Sequence, residues 1–168
     1  IVEGGYPNVY AYRFDWDEQP TILGMDFSFL LGAGHGLEIP FVMGDFDFGK
    51  QTRFLFTKKN ENERNKLSKV IMQYWTHFAK KGYPSNESEN ITLWDKWPKG
   101  GINQNRIMIL DTEQSNAPRM SNGYVPHNKL VTIFENDERS LKVDNKCNFL
   151  EDVYSWVDNW KSKNNFCQ

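Results

Sequence analysis

The order of patterned segments in this chain predicts an α/β fold. Three observations carry the prediction. An aromatic, strand-like segment opens the chain, one long amphipathic helix occupies its middle, and two further β-rich runs precede a last helix. Strand, long loop, helix, strand, strand, helix is the alternation expected where helices cover a sheet.

Residues 9–16 read VYAYRFDW. Tyr, Val and Phe dominate and apolar positions partly alternate with polar ones, which is strand patterning; the DEQP that follows breaks it. A glycine-rich stretch comes next, with short apolar pieces FSFLL at 27–31 and IPFVMG at 39–44. It reads as a long loop, and such loops beside strands are frequent carriers of function. The spacing of Leu67, Val70, Ile71, Tyr74, Trp75 and Phe78 predicts a helix over 60–81 with one apolar stripe, these residues forming its core side. Asn60 and Glu63 form a candidate capping pair at its start. Lys80 and Lys81 suit the negative end of the helix dipole, and Gly82 is its stop. RIMIL at 106–110 and KLVTIF at 129–134 are strand candidates, and residues 149–160 place Phe149, Leu150, Val153, Val157 and Trp160 on one helical face. Three strands and two helices are few for so wide an apolar stripe, so the pieces look incomplete without a covering surface.

Composition narrows the function classes. The chain has 168 residues, 39% hydrophobic and 25% charged, which is the mix of a folded globular protein. Aromatics reach 15%, which predicts large buried surfaces or a greasy cleft. A net charge of -2 without a Lys/Arg cluster argues against a nucleic-acid partner. No apolar run reaches the length of a membrane-spanning helix. Cys147 and Cys167 are too few for a disulfide scaffold, and neither zinc-ligand spacings nor Gly-rich phosphate loops occur. The first residues, Ile-Val-Glu-Gly, are like the mature start of trypsin-like proteases, but the GDSGG serine those need is absent. With no initiator Met, the expectation is that something preceded Ile1 or that the chain is a fragment. Asn86-Glu-Ser and Asn90-Ile-Thr fit glycosylation sequons, triplets that also arise by chance.

The strongest chemical candidate is His35, inside GAGHGLEIPFVMG at 32–44. Glycine on each side lets the backbone bend and leaves the imidazole open to approach, and histidine is the usual general base near neutral pH. On the pattern alone both a catalytic and a plain solvated role stay open. His77, on the flank of the helix stripe, and His127, in a polar loop, read as surface residues.

Five strings together resemble the C-terminal part of type-B carboxylesterases, the α/β-hydrolase family that includes the cholinesterases. They are YAYRFDWDE, LLGAGHGLEIPFVMG, NKLSKVIMQYWTHFAKKGYP, WDKWP and ILDT. RMS at 119–121 and KCNF at 146–149 are similar to bacterial members. The likeness is dense from residue 9 to residue 112 and thinner beyond.

The resemblance implies that residues 1–168 are one segment of an α/β-hydrolase domain, incomplete on its own, with no second domain. It places the family's triad histidine on His35. In such enzymes a serine attacks the ester carbonyl, the histidine takes its proton, and the acyl-enzyme is then hydrolysed. The triad order in this fold is Ser, then Asp or Glu, then His. No serine here stands in G-x-S-x-G, and only 34 residues precede His35. The resemblance therefore implies a partner: an N-terminal part of the same enzyme bearing the serine, the acid and the oxyanion hole, without which this chain is expected to be inactive. Glu38 would support the histidine. Phe29, Leu30 and Leu31, with Phe27, would line an acyl or alcohol pocket, though plain loop anchors fit them as well. The substrate would be a small carboxylic ester, with no cofactor and no metal, and the family favours a secreted or periplasmic location. The alternative is a non-catalytic binding or adhesion module of the same superfamily, which the intact histidine motif disfavours.

Overall fold

The computed structural model describes residues 5–50, 52–86, 90–97, 106–123, 127–136, 146–153 and 155. They fall into two compact units, one within Ile1–Gly123 and one within Tyr124–Gln168.

The first unit is built on a three-stranded sheet. Strand β1, Ala11–Phe14, and strand β4, Ile107–Leu110, run parallel, with Ala11 opposite Ile107 and Phe14 opposite Leu110. Strand β5, Arg119–Ser121, closes the other side of β4 antiparallel. β4 is therefore central, and its Met108, Ile109 and Leu110 are all buried, the continuous apolar run expected of a strand covered on both faces. Between β1 and β4 the chain forms a β2–β3 hairpin (Thr21–Ile22 and Met25–Asp26), two short helices α1 (Phe27–Leu31) and α2 (Ile39–Met43), and the long helix α3, Glu61–Lys81.

The long loop expected after β1 thus contains real elements. The hairpin turns on Leu23 and Gly24, both at positive φ (51° and 81°), the backbone a two-residue primed turn requires. A Leu-Gly pair lacks the usual Asn-Gly signal, so the hairpin leaves little trace in the sequence.

Helix α3 falls on the expected residues and stops at Gly82 in the left-handed region. Leu67, Ile71 and Tyr74 are fully buried and pack with Trp16, Phe41, Trp94, Met108 and Leu110 into the core. The stripe fades toward its C-terminal end, where Trp75 is half-buried and Phe78 is 46% exposed rather than core. The capping pair is not made. The Asn60 side chain turns away from the helix, donating from Nδ2 to the carbonyls of Glu18 and Leu55 at 2.9 Å each. Its Oδ1 accepts from the Thr57 N–H at 3.1 Å and from Arg64. Glu63 pairs with Lys66 at 2.8 Å instead. Tying down the preceding loop wins over capping because Asn60 is buried there, where an unpaired amide is costly.

In the second unit helix α4 spans His127–Asn136 and helix α5 spans Lys146–Val153. The strand expected at 129–134 is a helix. Its β-branched residues favour a strand locally, but Leu130, Ile133 and Phe134 also share one helical face, and the Phe134 ring stacks on Phe149 of α5 at 5.2 Å. The last helix begins three residues earlier than its apolar face suggests. Residues 154 and 156–160 of that expected helix, and Cys167, lie outside the described residues.

Candidate active site

His35 lies on the connection between α1 and α2, and its side chain is exposed. Each end of this connection follows from local chemistry. Asp26 caps α1, its carboxylate accepting from the Ser28 N–H at 2.9 Å, the Phe29 N–H at 3.4 Å and the Ser28 hydroxyl at 2.7 Å. The Ser28 hydroxyl bond, with the backbone bonds beside it, holds that carboxyl below its ordinary range. After α1 the chain makes successive tight turns, Leu37 N–H to Gly34 C=O at 3.1 Å and Ile39 N–H to Gly36 C=O at 3.2 Å. A Cβ on Gly34 would stand 3.1 Å from the Leu31 carbonyl, and Gly36 sits at φ +85°. Gly36 is thus in the left-handed region that favours glycine, and Gly34 stands where a side chain would crowd the Leu31 carbonyl. Pro40 in the first turn of α2 is pre-set for a helix start, and Pro40 and Phe41 are buried.

Among the described residues, one bond from an outside side chain reaches the start of the loop and another holds α2, into which the loop runs. Gln19, 5% exposed, donates from Nε2 to the Gly32 carbonyl at 2.7 Å. Ser68, in the buried stripe of α3, donates from Oγ to the Phe41 carbonyl at 2.8 Å. Neither was singled out by motif or spacing: a side chain that bonds a backbone carbonyl leaves no pattern in the sequence.

The other candidates are scattered around His35. Glu38 is half-buried just before α2, and among the described residues no hydrogen bond joins it to His35. Burial first, and the Glu38 charge second, push the Tyr12 hydroxyl up from its ordinary value. Phe29, Leu30 and Leu31 are exposed, Phe29 by 91%, and α1 buries none of its residues. Exposed Ile39 and Met43 of α2 add to this apolar surface beside the histidine. A cavity of about 370 Å³ lies elsewhere, between β1 and α3, walled by Tyr12, Trp75, Phe78 and Trp94.

His77 is half-buried, with Nδ1 3.1 Å from the Tyr83 carbonyl and its ring edge-on to Tyr83 at 4.9 Å. It is a structural residue and not the surface histidine expected. The His127 side chain lies outside the described residues. No group of three His, Cys, Asp or Glu among the described residues is arranged to hold a metal ion, and none of their helices is long and apolar enough to cross a membrane.

Residues 3–128 match the family model described as "Carboxylesterase family", and the chain belongs to that family. Its mixed sheet and flanking helices are accordingly part of an α/β-hydrolase fold. Among curated relatives, it is 32% identical over 108 residues to para-nitrobenzyl esterase of Bacillus subtilis (strain 168), covering 64% of this chain and 19% of that protein. It is 28% identical over 167 residues to acetylcholinesterase of Danio rerio, covering 92% of this chain and 24% of that protein. A solved structure of PNB esterase aligns with TM-score 0.42 at 34% identity, over 61% of this chain and 18% of that one. The chain thus spans between 19% and 24% of the length of these two curated relatives.

Proposed function

We propose that the protein to which this chain belongs hydrolyses carboxylic esters through a serine triad, and that His35 is its general base. The carrying observation is the exposed imidazole on a tightly turned loop, followed by Gly36 at positive φ and preceded by Gly34 packed close to the Leu31 carbonyl. Membership of the carboxylesterase family supplies the chemical class. In this reading His35 takes the proton from a serine as its oxygen attacks the ester carbonyl, and returns it to the departing alcohol. It then deprotonates the water that cleaves the acyl-enzyme. The nucleophile, the acid and the oxyanion donors belong to residues outside this sequence, since no G-x-S-x-G occurs in it. The chain by itself therefore has no hydrolytic activity. The exposed apolar surface of Phe29, Leu30, Leu31, Ile39 and Met43 supports a face that the rest of the enzyme covers, with part of it left to line the substrate site.

The test is p-nitrophenyl acetate hydrolysis by the full-length protein, by its His35→Ala variant and by residues 1–168 alone. The expected result is a fall in kcat of about a thousandfold or more for His35→Ala and background rates for the isolated chain. Wild-type turnover in His35→Ala would remove the histidine from the mechanism. No turnover in the wild-type protein would favour a binding module.

A further inference from the structure

We infer that Gln19 is a positioning residue for His35, acting through the start of the histidine loop. The inference rests on the reading of His35 as the general base. A general base works only within a few tenths of an ångström of its productive place, so the loop that bears it must be fixed to elements that do not move. The two ends of the His35 loop are fixed very differently. Its far end runs into α2, where Pro40 and Phe41 are buried and Ser68 bonds the Phe41 carbonyl. Its near end leaves α1, a helix with no buried residue and three exposed apolar ones. The bonds between Leu37 and Gly34 and between Ile39 and Gly36 join the loop to itself, so they shape it without locating it.

Gln19 supplies the missing fixed point. Its Nε2 bonds the Gly32 carbonyl at 2.7 Å, three residues before His35, from a side chain that is almost wholly buried. Its Oε1 has no partner among the described residues, so the amide's bonding is directed at the loop alone. The segment carrying Gln19 is itself locked to the sheet and to the start of α3. The Asp15 N–H donates to the Leu110 carbonyl at 3.0 Å, the Thr112 hydroxyl to Glu18 Oε1 at 2.7 Å, and Asn60 Nδ2 to the Glu18 carbonyl at 2.9 Å. A short hydrogen-bonded path therefore runs from β4 through residues Asp15–Gln19 to the peptide at Gly32. Phe27 of α1 also meets Phe54, at 5.0 Å between rings, but Phe54 is itself exposed and on a surface turn.

The experiment compares Gln19→Met, which keeps the volume and loses the donor, with Gln19→Glu, which keeps the shape and sets an acceptor against the Gly32 carbonyl. Both are made in the full-length enzyme and assayed with p-nitrophenyl acetate, with active sites counted by fluorophosphonate titration carried to completion. The expected result for both is a five- to fiftyfold fall in kcat per titrated site with KM within twofold. In a His35→Ala background the same changes cause no further loss, because a residue acting only through His35 has nothing left to position. Should Gln19→Met fail to fold, Gln19→Glu alone decides. Unchanged kcat in the folded variants, a change confined to KM, or an undiminished loss in the His35→Ala background would each overturn the inference. An active His35→Ala enzyme would instead overturn the reading of the base. An inactive His35→Ala enzyme with fully active Gln19 variants would sink this inference alone.

Discussion

Around Phe41 and Trp94 the first unit is held by rings. Phe41 is fully buried and meets Phe14, Trp16 and Phe46 at 5.0 to 5.1 Å, mostly edge to face. Trp94 receives Tyr74 at 5.2 Å and Trp75 at 6.0 Å. A few residues away, the loop bearing His35 has an exposed imidazole and exposed apolar neighbours, and among the described residues a polar bond from Gln19 holds its start while one from Ser68 holds α2 beyond its end. The difference teaches where the fold's free energy resides. Burial and ring contacts hold the core without fine direction, whereas single directional hydrogen bonds locate the loop at little cost in burial. On the proposed role of His35, stability and chemistry reside in different places, and substitutions are expected to break one without the other.

The largest loss of stability is expected from Phe41→Ala, which leaves a cavity among the rings of Phe14, Trp16, Phe46 and Phe56 and costs about 3–5 kcal/mol. Urea unfolding of the intact protein reads it, and a cost below about 1 kcal/mol would dissolve the contrast. Tyr74→Phe keeps the ring and deletes the hydroxyl that donates to the Thr92 carbonyl at 2.8 Å. It should cost about 1 kcal/mol in the same assay, which separates the polar share of the core from its burial. Asp111→Asn sharpens the comparison through pH. Burial raises the Asp111 carboxyl above its ordinary range, the charges of Asp17 and Glu18 add to this, and bonds from the Thr112 N–H and Ser115 oppose it. A raised carboxyl gives stability that is full below its unfolded pKa, about 4, and is lost as pH rises through the folded value. Near neutrality the charge therefore works against folding. The variant should raise the melting temperature slightly at pH 7, by less than about 1 kcal/mol equivalent, and flatten the melting profile above pH 4. The smallest effect is expected from His35→Ala, within about 0.5 kcal/mol by urea unfolding even as turnover collapses. A large stability loss there would mean that the imidazole belongs to the packing after all.

Much of this molecule was legible from short-range pattern. Helix α3, its Gly82 stop, β1 and β4 follow from periodicity and from residues adjacent in the chain, and the histidine string stands out by its own spacing. Those features depend on neighbours within a few positions, which sequence displays directly. Other features needed the folded chain. Residues 127–136 become a helix although their β-branched run favours a strand, and the ring of Phe134 meets Phe149 across the unit. Phe78 shares the stripe of α3 yet stays exposed, because burial is decided by what faces a residue and not by its phase on the helix. Asn60 spends its amide on the preceding loop instead of a cap, and Gln19 reaches a carbonyl thirteen residues onward. Backbone carbonyls are the same at every position, so a bond to one leaves no mark in the amino-acid string. Tertiary packing alone selects which carbonyl a buried donor will meet, and it is that selection that fixes the start of the histidine loop.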